Sequence, residues 1–157
     1  MLPVAVFLLF GIISTVQGGH YHLNGGSALP AIGFSAKLSR DIQLGNGQAV
    51  KYDTVITNKG NGYNKWSGHF TAPLRGLYLF SCTILAQHPY SVHIELMKNG
   101  SKISTLYSTT SGQSSQSVVL ILRKGDTVWT RQAWNGRRLH DHVGYNMFTG
   151  VLISENV

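Results

Sequence analysis

From Ala31 onward, apolar and polar residues alternate in short runs that end at turn residues. The clearest run is Gly76–Gln87, with Tyr78, Phe80, Cys82 and Ile84 on one side and Leu77, Leu79 and Ser81 on the other. Successive strand side chains point to opposite faces, so this alternation predicts a long strand with one aromatic face. Val92, Ile94 and Leu96 alternate with His93, Glu95 and Met97, predicting a half-buried strand over Ser91–Lys98. Asn99-Gly100 then supplies a hairpin turn, and Ser101–Tyr107 is expected to return from it. Further strands are expected at Ala31–Leu38, Gln48–Thr57, Ser117–Arg123, Thr127–Trp134 and Gly144–Ser154. Turns or loops are expected at Gly45–Gly47, Asn58–Gly62, Thr109–Ser115, Gly125-Asp126 and Asn135–Val143. No segment carries a helical period of useful length. Short strands with regular turn signals predict an all-β sandwich, and periodicity alone leaves its topology open.

The amino-terminal run Met1–Ile13 is apolar and uncharged, and Ser14, Thr15, Gln17, Gly18 and Gly19 follow it. A membrane span needs about 20 apolar residues. The shorter run predicts a signal peptide over residues 1–18, cleaved near Gly18, and hence a secreted, extracellular protein with no membrane span. Residues 19–30 are Gly-rich and aperiodic and read as a flexible arm; they lack the glycine period of collagen and the heptads of a coiled coil. Residues 31–157 form one domain, long enough to bury a real core.

Lys and Arg number 13 against 6 Asp and Glu, a formal charge of +7. Such an excess draws a protein toward acidic glycans, lipopolysaccharide and other anionic surfaces. The basic residues are scattered, which disfavours nucleic acid as the main partner. The single cysteine, Cys82, excludes an internal disulfide. Its apolar, mid-strand setting predicts an inert buried thiol, with an intermolecular bridge or a reactive thiol as the alternatives. The six carboxylates form no close pair, and the motifs of serine hydrolases, zinc peptidases and phosphate-binding loops are absent. The chain is therefore expected not to be an enzyme.

Three local features carry candidate chemistry. His140-Asp141-His142 is the most metal-like cluster, but it lacks a further ligand in sequence, so no metal is assigned. Asn99-Gly100-Ser101 is a glycosylation sequon at the expected hairpin tip. The segment from Trp134 to Tyr145 joins an aromatic, paired arginines and histidines without strand periodicity. Trp134, Asn135, Arg137, Arg138, His140, Asp141, His142 and Tyr145 are its candidate ligand-binding residues, because sugars stack on aromatics while Arg, Asn, Asp and His bind hydroxyls or acidic groups.

The stretch Tyr63–Phe80 carries a resemblance. Phe70 is followed by Ala72-Pro73, then Gly76, then Tyr78 and Phe80, with Tyr63 and Asn58 upstream at matching spacings. Leu96–Gly100, Ser117–Leu120, Leu122–Trp129 and Phe148–Leu152 continue the match, which covers Phe34 to about Ser154. This pattern resembles the globular-head domain of complement C1q, in the short, stalkless, secreted form abundant in molluscs and other invertebrates. Tyr52 stands where Phe is usual, and Cys82 where Tyr or Phe is usual. The resemblance implies a ten-strand jelly-roll sandwich of the C1q and tumour-necrosis-factor type, assembled as a homotrimer. It also implies a non-enzymatic, lectin-like pattern-recognition protein of innate immunity, binding microbial polysaccharide, lipopolysaccharide or other anionic glycans. The alternative is an extracellular receptor ligand or scaffold of the cerebellin type. Some members bind calcium near the trimer axis through carboxylates and carbonyls; acidic residues are too sparse here to support that site, and no cofactor is assigned.

Overall fold

The computed structural model describes residues 30–134 and 137–157; the expected signal peptide, the arm through residue 29 and Asn135 lie outside the described residues. Twelve strands run through the described residues: β1 (Gly33–Lys37), β2 (Ile42–Leu44), β3 (Thr54–Lys59), β4 (Tyr63–Asn64), β5 (His69–Thr71), β6 (Gly76–Leu85), β7 (Val92–Lys98), β8 (Ser101–Ser108), β9 (Gln113–Leu122), β10 (Thr127–Gln132), β11 (Arg137–Leu139) and β12 (Met147–Ser154). Ten of them form two five-stranded sheets, ordered β3-β1-β12-β6-β9 and β4-β5-β10-β7-β8, and β2 with β11 forms a separate ribbon. The chain crosses repeatedly between the sheets, which is the jelly-roll arrangement the resemblance implies.

The core follows from the alternation. Along β6, Gly76, Tyr78, Phe80, Cys82 and Ile84 are buried, and Val92, Ile94 and Leu96 of β7 are buried with them in one core. Phe34 stacks on Tyr63 at 4.6 Å and on Phe70 at 5.1 Å, while Phe80 meets Phe148 at 6.0 Å. Each such ring contributes about 1.5–3 kcal/mol by burial. Asn58 fixes Tyr63 by donating Nδ2–H to its carbonyl and accepting its N–H, at 2.8 and 3.1 Å. Tyr63 Oη then accepts the Tyr52 N–H and donates to the Tyr52 carbonyl. Gly76 is required by close approach, since a Cβ there would overlap Leu152 Cδ1 and the Ser154 carbonyl. Tyr52 and Cys82 are partners in the core: Tyr52 Oη lies 3.4 Å from Cys82 Sγ and 3.2 Å from Thr130 Oγ1.

Several boundaries differ from expectation. The strand expected over Gln48–Thr57 is divided between the sheets. Val50 donates to Thr130 and Gln132 donates to Gln48, so this part extends the edge of β10. The chain then crosses, and β3 continues through Asn58 and Lys59, which were expected to lie in a loop. β9 begins at Gln113, inside the expected polar loop, because Gln113–Gln116 pair with Leu85–Cys82. Met97 is buried rather than outward, owing to a register shift between Leu96 and Met97. The expected loop Asn135–Val143 contains β11, paired to β2 through Leu139↔Ile42. The hairpin at Asn99-Gly100 forms as expected, with φ of 47° and 85°.

Candidate functional site

The β2–β11 ribbon organises the segment singled out in the sequence. Leu139 is fully buried and anchors β11, which places its neighbours at the surface. Arg138 is exposed, donates Nη2–H to Gln43 Oε1 at 3.0 Å and lies 5.9 Å from the Tyr90 ring. Arg137 is half-buried, and its Nε has no hydrogen-bond partner among the described residues. Trp134 is 50% exposed and rests on His93 at 3.9 Å; His93 in turn touches Tyr107 at 4.5 Å. The tryptophan thus belongs to a three-ring patch with β7 and β8.

His140 and Asp141 face opposite ways. Asp141 is buried, and its carboxylate accepts the N–H groups of Gly144, Tyr145 and Asn146 and the Asn146 Nδ2–H. It holds the turn closed and offers nothing to solvent. Asn146, also buried, accepts the Leu85 N–H at 2.8 Å, tying the turn to β6. His140 Nδ1 instead stands 3.0 Å from Asp41 Oδ1, with the His142 ring edge-on at 4.4 Å and Tyr145 stacked at 6.1 Å. Burial raises the Asp41 carboxyl, but the Asp141 N–H and the His140 ring outweigh it and hold the group below its ordinary value.

A cleft of about 560 Å³ opens beside these residues, between the end of β6 and the start of β9. Gln87, His88, Ser111, Gln113, His140 and Tyr145 line it. Gln87 donates Nε2–H to Asp41 Oδ2 at 2.6 Å and keeps its buried Oε1 without a partner. The Gln87 N–H donates to the Arg138 carbonyl, so Arg138 adjoins this wall. A second groove of about 290 Å³ gathers Arg40, Lys51 and Lys65 around Trp66, which is 77% exposed.

The candidate residues therefore divide: Arg138, His140 and Tyr145 frame the cleft, Trp134 joins the three-ring patch, and Asp141 serves the fold. Asp41, Gln87, His88 and Trp66 carried no sequence signal. Asp41 meets His140 only through β-ribbon pairing, and His88 and Trp66 stand in turns without a binding motif. Asn99 is exposed, and its amide donates one N–H to Asp126, leaving the second for a glycan. Among the described residues no carboxylate cluster offers calcium its six to eight oxygens: Asp53 binds Ser39, Glu95 pairs with Arg131, and Asp126 binds Asn99.

Comparison with known proteins sets this geometry in a family. Residues 33–153 match the C1q domain family model. Complement C1q tumor necrosis factor-related protein 3 of Mus musculus is 35% identical over 129 residues, covering 79% of this chain and 52% of the relative. Complement C1q tumor necrosis factor-related protein 6 of Rattus norvegicus is 34% identical over 112 residues, 67% of this chain and 43% of the relative. The chain thus spans about half the length of the curated relatives it matches. Among solved structures, the globular domain of zebrafish complement 1qA aligns with a TM-score of 0.63 at 21% identity, over 78% of this chain and 97% of that one. Eiger TNF from S. frugiperda aligns at 0.66 and 13% identity, over 82% and 96%. The chain belongs to the C1q domain family, whose members are non-enzymatic signalling or recognition proteins.

Proposed function

We propose that this protein is a secreted, homotrimeric recognition module of innate immunity that binds glycans, acidic microbial glycans among them. The observation that carries this reading is the cleft beside β11. Its volume suits one or two sugar rings, Tyr145 and His140 give flat walls, and Gln87, Gln113 and Ser111 give hydroxyl partners. Arg138 stands at its side, exposed and able to meet a carboxylate or phosphate.

A trimer multiplies weak sites into useful avidity. Support for it lies on the outer face of the first sheet. Val119, Leu79 and Val151 are register partners on β9, β6 and β12 and form an apolar row; Ile121 and Ile153 extend the exposed apolar surface. Burying such a face between copies is the ordinary reason for its presence.

The test is a glycan array with the secreted protein at two salt concentrations. Arg138→Ala is expected to weaken acidic ligands at least about tenfold at low salt, since exposed charge is screened as salt rises. Tyr145→Ala is expected to weaken neutral and acidic sugars alike. If both variants bind every array ligand like wild type, the cleft is not the site. A second reading, an extracellular receptor ligand or scaffold, draws on the relatives named as tumor necrosis factor-related proteins. An empty array together with saturable binding to cell-surface protein would select it.

A further inference from the structure

We propose that Asp41, His140 and His142 form a binding site for a divalent transition metal, zinc(II) first, at the rim of the cleft. The ribbon builds the site. Asp41 immediately precedes β2 and His140 immediately follows β11, and the pair Leu139↔Ile42 brings these two positions side by side although they are remote in sequence. His142 lies two residues on, and its ring meets that of His140 edge-on at 4.4 Å. One ligand atom from each of the three residues lies within 4.8 Å of the others. Around a tetrahedral ion with bonds of about 2.0–2.1 Å, ligand atoms stand about 3.3 Å apart. Asp41 Oδ1 and His140 Nδ1 already stand 3.0 Å apart, and exposed His142 can close the remaining distance by side-chain rotation.

The donor set chooses the metal. Two imidazoles and one carboxylate suit zinc and its neighbours in the first transition row. Calcium, which takes oxygen ligands almost exclusively, does not fit. The scaffold is set before any ion arrives. Asp41 Oδ1 accepts the Asp141 N–H at 2.8 Å, and Oδ2 accepts Gln87 Nε2–H at 2.6 Å, so the carboxylate is oriented from two sides. Asp141 closes the following turn, which holds the backbone between the two histidines in place. Three protein ligands leave a fourth position for water, and because His140 also lines the cleft, a ligand hydroxyl there can take that position. The metal site does not depend on which ligand occupies the cleft.

Titration calorimetry of the metal-stripped protein with zinc(II) alone tests this. The protein is expected to bind one zinc ion per chain that survives replacement of His20 and His22 in the arm. His142→Ala and His140→Ala are each expected to weaken it at least about tenfold, as loss of even an outer-shell partner does. His142 is exposed and makes no hydrogen bond among the described residues, so His142→Ala is expected to melt like wild type in chelator, and it decides the matter if His140→Ala fails to fold. Cobalt(II) in place of zinc is expected to give the visible absorption of a four-coordinate site in wild type and to lose it in His142→Ala. Absence of saturable zinc binding, an affinity unchanged within about twofold in His142→Ala, or calcium displacing zinc at equal concentration would overturn the proposal.

Discussion

Tyr52 and Cys82, far apart in sequence, meet each other in the core. The tyrosine hydroxyl hydrogen-bonds the thiol. Burial pushes the Cys82 thiol up to about 12, against the opposing hydrogen bond from Tyr52. Thiolate is the reactive form, so at neutral pH the group is protonated and shielded. A thiol reagent is expected to leave the folded protein unmodified for hours and to label one site per chain in denaturant. Rapid labelling of the native protein, or an intermolecular bridge at Cys82, would contradict this. The burial of Cys82 was legible from its apolar neighbours. The role of Asp141 was not: a carboxylate between two histidines reads as surface, and only the turn at 144–146 draws it inward. Asp41 was equally hidden, because nothing local links it to His140.

At the scale of elements, alternation identified β6, β7 and β8, and Asn99-Gly100 marked the turn between the last two. It failed where a strand changes sheet, as at Gln48–Lys59, where edge pairing rather than burial makes the strand, as at Gln113–Gln116, and where the strand is too short for alternation to show, as at Arg137–Leu139 with its one buried side chain. Backbone pairing leaves no hydrophobic trace in Gln113–Gln116. Asp126 shows how two turns are joined. Its carboxylate accepts the Arg123 N–H and the Asn99 Nδ2–H, and Asn99 Oδ1 accepts the Thr127 N–H. The Arg123 N–H, then Asn99, and more weakly Lys98 hold the Asp126 carboxyl below its ordinary 3.8, against desolvation. A carboxylate with a lowered folded value stabilises above the unfolded value and loses that stabilisation as pH falls through the folded one. Melting temperature is therefore expected to decline as pH drops below 3.8, and Asp126→Asn is expected to flatten that acid limb while lowering stability at neutral pH. An acid limb of unchanged slope in the variant would show that other carboxylates dominate.

For the whole molecule, periodicity gave a sandwich, and the family spacing from Asn58 to Phe80 was needed to choose the jelly roll. The apolar row Val119, Leu79 and Val151 was not legible as an interface, because an exposed apolar residue is ordinary until its neighbours across strands are known. Val119→Arg is expected to shift the mass measured by light scattering from about three chains to one at micromolar concentration, since a charge buried between copies is costly. A trimer that persists in this variant would place the interface elsewhere.

The register of β1 also sets the direction in which the protein presents itself. Gly33 pairs with Val151 at one end of the sandwich, and Lys37 pairs with Met147 at the other, where Asn146 reaches Leu85 and the cleft opens. Pro30, where the described residues begin, lies three residues before Gly33 at the far end. A copy anchored at that end, to a bead, a sensor chip or a longer assembly, therefore keeps its cleft pointing away from the anchor. Three copies whose shared axis ran along β1 would then face their clefts the same way, toward an opposing surface rather than toward one another.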